Sequence, residues 1–233
     1  MNRIRPTTSA CFAAIKAPAL YRNFFIHAFV MFPAAMMMCW IATQIDAHLG
    51  IPPLGSPNIR LLLGIVGIAI GGTWVWYVYG YLFLAGGGSP GTHVDGGPIR
   101  LVDTGPYSTI RHPSVLGKML GVIALGIAWG STTFLLGFVP ILIVYAVVSN
   151  KLIQERFCHI RFGAQYEQYC AKVPMLIPTS TSIQNWREGR AIIIQDLNQD
   201  VTAQPPSIWH EFRWYLLGLF LLIGAFCLIW KIL

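Results

Sequence analysis

Charge is what this chain has least of. Asp, Glu, Lys and Arg make up 11% of its 233 residues, against about 25% in soluble domains. Such a composition excludes a charge-swollen disordered chain or a basic nucleic-acid arm. With 55% hydrophobic residues and a mean hydropathy of +0.58, it also argues against an ordinary soluble globule. Cysteine is sparse as well. The 5 cysteines are an odd number without a C-x-x-C spacing, and Cys39 and Cys227 fall in apolar runs, so neither a disulfide framework nor a zinc site is expected. The basic N-terminal stretch with Arg3, Arg5, Lys16 and Arg22 precedes no clean apolar segment with a small-residue cleavage site. The first apolar run therefore reads as a retained span rather than a cleaved leader.

What the chain does have is long uncharged runs. Residues 24–45 and 61–85 each reach the roughly 20 apolar residues that a bilayer crossing needs. Pro33 falls inside the first and is tolerable there, with a kink. The Gly- and Pro-rich residues 46–60 read as a loop. Residues 115–129 and 132–149 are separated by little more than Gly130-Ser131 and read as a tight helical hairpin, with Pro140 a second kink. Residues 150–172 become charged and amphipathic, 179–207 form a polar connection, and 212–232 supply a last span. The expectation is an all-α, polytopic transmembrane bundle of about five spans, including the hairpin, plus a cytoplasmic amphipathic helix. In domain terms, a basic segment 1–23 precedes a core at 24–178, the connection follows, and 208–233 form a C-terminal transmembrane helix.

Orientation follows from the basic residues. With five spans and a cytoplasmic N-terminus, 1–23, 86–114 and 150–211 share one side, and all of the 16 Lys and Arg except Arg60 and Lys231 lie there or at adjoining span ends. That is the positive-inside pattern, predicting a cytoplasmic N-terminus in an inner or plasma membrane. Both long polar segments then meet at one face. The pairs Gly67/Gly71, Gly117/Gly121 and Gly126/Gly130 match G-x-x-x-G and predict close helix packing within the bundle.

Gly86, Gly88 and Gly91 match a dinucleotide fingerprint by spacing alone. They follow an apolar helix rather than a strand, so a hinge leaving the membrane is the better reading. Two other clusters carry chemistry. Arg111 and His112 stand before Pro113 and an apolar span, where ionisable groups are expensive and a functional role is the default. Glu155, Phe162, Tyr166 and Tyr169 recur at spacings of seven, four and three, on roughly one helical face. An amphipathic helix on anionic headgroups would explain the basic residues nearby, but not Glu155.

Together these clusters resemble a known superfamily. Gly105-Pro106-Tyr107, Arg111-His112-Pro113 and Gly117, followed by Glu155, Phe162-Gly163, Tyr166, Tyr169 and Val173-Pro174, are similar to the paired motifs of the isoprenylcysteine carboxyl methyltransferase and phospholipid methyltransferase superfamily, as is Arg100-Leu101-Val102. The resemblance covers roughly residues 61–178. It implies S-adenosylmethionine-dependent methyl transfer to a membrane-dissolved or hydrophobic acceptor, such as an isoprenylcysteine-like carboxylate, a lipid amine or a thiol. It implies donor contacts from Leu101, Val102, Gly105, Pro106, Tyr107, Arg111, His112, Pro113, Glu155, Tyr166 and Tyr169, with Arg111 and Glu155 orienting the reacting groups. Its partners would be the bilayer and the acceptor, with no nucleic acid and no metal. Two positions depart from the pattern: Val115 replaces a tyrosine, and Gln154 replaces the first of two acidic residues. They keep open a non-catalytic cofactor-binding membrane protein. A looser similarity to sterol reductases keeps open an NADPH-dependent membrane reductase.

Overall fold

A computed structural model of the chain describes residues 5–87 and 98–193, together with Leu217 and Gly224. The described residues are helical, without strands. A short helix α1 (Thr8–Ala13) leads into α2 (Pro18–His48), which contains the run at 24–45 and continues through Pro33. Next come α3 (Pro57–Ala85) and α4 (Pro113–Trp129). After the turn at Gly130-Ser131, one helical rod runs from Phe134 to Lys172 and includes α5 (Val139–Ser149) and α6 (Arg156–Lys172). A last short helix, α7, spans Ser180–Arg187.

Among the described residues, two helical stretches are long and apolar enough to cross a membrane, Pro57–Ala85 and Phe134–Lys172, with the shorter apolar α4 between them. At 1.5 Å per residue α3 extends about 43 Å, beyond the roughly 30 Å hydrocarbon layer, whereas α4 reaches only about 26 Å. The outer face of α3 carries Ile59, Leu61, Leu62, Leu63, Ile65 and Ile70, each more than half exposed among the described residues. An apolar face of that extent belongs against lipid, and the protein is an integral membrane protein. The fifth span expected at 212–232, apart from Leu217 and Gly224, and Gly88 and Gly91 of the expected hinge lie outside the described residues.

Glycine sets the closest packing. A Cβ on Gly71 would stand 2.5 Å from the Gly117 carbonyl oxygen, and one on Gly67 would stand 2.6 Å from Ala124 Cβ; Gly64 presses on Ala128. Falling numbers on α3 meet rising numbers on α4, so the two are antiparallel with their backbones in contact. The turn after α4 is a left-handed cap at Gly130 (φ 79°), whose N–H donates to the carbonyls of Gly126 (2.9 Å) and Ile127 (3.0 Å). Beyond it, Pro140 has no N–H for the carbonyl one turn back, and the five residues Phe134–Phe138 take the wider π geometry. Met38, Cys39 and Ala42 of α2 join Leu125, Phe134, Phe138 and Val139 in the core of this end.

Two expectations need correcting. Asp46, assigned to a loop, lies in the last turn of α2 and is buried. Its carboxylate accepts from Ser131 Oγ (2.5 Å), Thr133 N (3.0 Å) and Thr133 Oγ1 (2.6 Å), fastening α2 to the hairpin turn. Asp46→Ala strands these donors and is expected to destabilise the protein by about 2 kcal/mol or more, read as a lowered denaturation midpoint in detergent. The second correction concerns residue 150, where the span expected at 132–149 and the amphipathic helix expected after it are one continuous helix. The helix continues through a second π segment, Asn150–Glu155, and breaks only at Gly163 (φ 50°, ψ −130°), a left-handed conformation that suits glycine.

Candidate active site

The polar segments gather at one end of the bundle. The other end holds the 49–56 loop and the hairpin turn, joined where Leu54 N donates to the Gly130 carbonyl (3.1 Å). At the polar end α1 lies on α3, with the Cys11 carbonyl against Gly80. Tyr81 on the last turns of α3 shares a hydrogen bond of 2.9 Å with Thr104.

The segment 98–112 is held from three sides. Gly105 has φ 58°, and the Tyr81 ring fills the space that a Cβ would need. Trp74 Nε1 donates to the Pro113 carbonyl (2.7 Å), fixing the start of α4. The decisive link is to the end of α6. Val173 is extended, as the residue before a proline prefers, and the chain turns back along the first motif. Arg111 N donates to the Pro174 carbonyl (2.9 Å), and His112 N donates to the Met175 carbonyl (3.2 Å). Tyr169 OH donates to the Tyr107 carbonyl at 2.7 Å.

These bonds bring the ionisable residues together. Glu155 ends the second π segment, a distortion that often re-aims a functional side chain. Its Oε1 lies 3.2 Å from Arg111 Nε and 3.1 Å from His112 Nε2. All three are largely buried, with side-chain exposures of 15% for Arg111 and 8% for both His112 and Glu155. Arg111 Nε is in ion-pair range of the carboxylate but out of line for a hydrogen bond, and Thr109 Oγ1 is a second buried polar atom without a hydrogen-bond partner among the described residues. Burial opposes the Arg111 charge, but a hydrogen bond with Cys170 and the nearby Glu155 carboxylate outweigh it, holding its pKa above the ordinary arginine value. Burial pushes the Tyr107 phenol well above its usual range.

The aromatic residues divide. Leu101, Phe162, Tyr166, Tyr169 and Val173 form one buried cluster beside the ion pair, with Ile193. Tyr107 and Val102 belong to another, with Cys11, Val78 and Tyr81. Tyr107 and Tyr166, both among the implied donor contacts, thus sit in separate clusters. Gly105, Pro106 and Pro113 shape the backbone: Pro106 O accepts from Thr109 N (3.2 Å), and the space beside Gly105 is taken by Tyr81. Val115 is buried in the first turn of α4.

Sequence reasoning missed Asp103, Thr109, Cys170 and Trp74. Asp103 carried a signal, since a carboxylate between Leu101-Val102 and Gly105-Pro106 needs partners if buried. Nothing local marked the other three. It also treated 179–193 as mere connection, whereas α7 packs on the 105–108 turn and Trp186 meets Trp74 edge-on at 5.8 Å. An open, mainly apolar groove of about 560 Å³ runs there, lined by Phe12, Ile70, Thr73, Trp74, Tyr77 and Trp186.

Residues 59–163, somewhat less than half of the chain, match the model of the phospholipid methyltransferase family. The match takes in the first motif and Glu155, and it stops before Tyr166 and Tyr169. The chain is also similar to the Delta(14)-sterol reductase LBR of Gallus gallus, with 30% identity over 74 residues. That similarity spans 32% of this chain and 12% of the relative. No solved structure matches the chain.

Proposed function

We propose that this protein transfers the methyl group of S-adenosylmethionine to a membrane-dissolved or hydrophobic acceptor, at a site facing the cytoplasm. The observation that carries the reading is the convergence of Arg111, His112 and Glu155, drawn from two distant motifs, within a segment similar to the phospholipid methyltransferase family. The donor set suits the ligand. A molecule with a carboxylate, an ammonium, a sulfonium and a purine needs a cation, an anion, unspent hydrogen-bonding atoms and an apolar wall. Arg111 and Glu155 provide the charges, Arg111 Nε and Thr109 Oγ1 the unspent atoms, and Leu101, Tyr166 and Tyr169 the wall.

When bound, the sulfonium donor would supply an electrophilic methyl group. The chain's own work is then positioning and exclusion of water. Arg111 pairs with a carboxylate through its planar fork. Glu155 orients Arg111 and His112 and offsets positive charge beside them. The groove under Trp74 and Trp186, one residue contact away from Pro113, would take the hydrocarbon part of the acceptor from the membrane side.

A second reading, an NADPH-dependent membrane reductase, draws on the similarity to the sterol reductase relative. A thermal-shift comparison in detergent separates the two. S-adenosylmethionine at a hundredfold excess over its Kd is expected to stabilise the protein by about 2.7 kcal/mol, with NADPH having no effect; the reverse outcome favours the reductase. Comparing the lipids of cells with and without the protein then reads the acceptor class, as a mass gain of one methylene.

A further inference from the structure

Asp103 is a buried carboxylate, 2% exposed, that the ion-pair site does not use. Its Oδ2 accepts the backbone N–H groups of both Ile192 and Ile193, each at 2.9 Å, across about 90 residues of chain. Lys172 Nζ, at the end of α6, donates to the Ile192 carbonyl at 3.1 Å. Ile193 is 3% exposed and packs in the cluster of Leu101, Tyr166 and Tyr169. Upstream, the Arg5 guanidinium lies on Gly189. Residues 188–193 thus form a strap pinned across the back of the aromatic wall.

We propose that Asp103 is a positioning residue, which fixes this strap so that Ile193 closes the wall of the donor site. The inference rests on the reading of that site as the donor site. A buried carboxylate is tolerated only when hydrogen-bonded, and two adjacent amide donors satisfy one of its oxygens with charge-assisted bonds. Removing the carboxylate leaves two amides unpaired in a dry environment. The strap then exchanges those contacts for water, Ile193 leaves the cluster, and water reaches the back of Tyr166 and Tyr169.

The test joins residue-resolved hydrogen exchange to calorimetric titration with S-adenosylhomocysteine, using the full chain in detergent. In Asp103→Ala, exchange at Ile192 and Ile193 is expected to accelerate tenfold or more and the Kd for S-adenosylhomocysteine to rise about tenfold, while protection in α3 and α4 is unchanged. Asp103→Asn keeps an acceptor oxygen and is expected to restore most of both. If Asp103→Ala does not fold, Ile193→Ala provides the second variant, with weaker binding expected and the amides still protected. Wild-type exchange or wild-type affinity in Asp103→Ala overturns the proposal, as does wild-type affinity in Ile193→Ala. Absence of binding by the wild-type protein would instead strike at the donor reading, and the exchange result would still decide whether Asp103 pins the strap.

Discussion

Glu155→Ala is expected to reduce affinity for S-adenosylhomocysteine by two to three orders of magnitude. The carboxylate holds Arg111 and His112 through one oxygen, at 3.2 and 3.1 Å, in a site where all three side chains are largely buried. Removing one partner of such a pair leaves its cation uncompensated, at a cost of about 3–5 kcal/mol, and each 1.4 kcal/mol corresponds to a factor of ten. Part of that cost falls on folding, so the variant's denaturation midpoint should drop as well. Glu155→Gln keeps the shape and one acceptor oxygen and loses the charge; its affinity should fall by one to two orders, with a smaller change in midpoint. Titration calorimetry and denaturation of the same samples separate the two effects. Near-wild-type affinity in a folded Glu155→Ala protein would remove Glu155 from the site.

The second large effect is on the scaffold. Gly117→Leu is expected to destabilise the protein by about 3 kcal/mol, at the upper end of overpacking effects. A Cβ there would meet the Gly71 carbonyl oxygen and Val75 Cγ2 at 2.7 Å and Trp74 Cδ1 at 2.8 Å. The backbone oxygen cannot swing away as a side chain would, and moving Trp74 breaks its hydrogen bond to the Pro113 carbonyl. Gly121 is the control, since a Cβ at that position meets nothing within 4 Å. Gly121→Leu should stay close to the wild-type midpoint. A G-x-x-x-G pattern treats these two glycines alike, and the structure separates them.

That contrast marks what local pattern can read. The uncharged run at 61–85 became α3, and Gly130-Ser131 became the hairpin turn, because each is decided by residues within a few positions of one another. Basic residues pointed to the polar end for a comparable reason: the segments rich in them have to share a side whichever way each folds. Side-chain partners were harder. Asp46 meets Ser131 across 85 residues, Tyr169 meets the Tyr107 carbonyl across 62, and His112 meets Glu155 across 43. No periodicity encodes those distances; they follow from antiparallel packing and from the return of the chain after Val173. The motif resemblance brought Arg111 and Glu155 into one hypothesis, but the backbone bonds from Arg111 and His112 to Pro174 and Met175 explain how they meet. The helix running through residue 150 was illegible for another reason. A change from apolar to charged composition resembles the end of a span, yet a helix can carry it without a break when the π turn at Asn150–Glu155 re-aims Glu155 inward.

In the proposed function a guanidinium and a carboxylate, brought from opposite sides of a helical hairpin, hold one sulfonium-bearing ligand. Calorimetric titration of the purified wild-type protein with S-adenosylhomocysteine, repeated with Arg111→Ala, tests it most directly. Saturable one-site binding to the wild type, weakened a hundredfold or more by the substitution, is the predicted result. No measurable heat with the wild type, or the same affinity in both proteins, would contradict it.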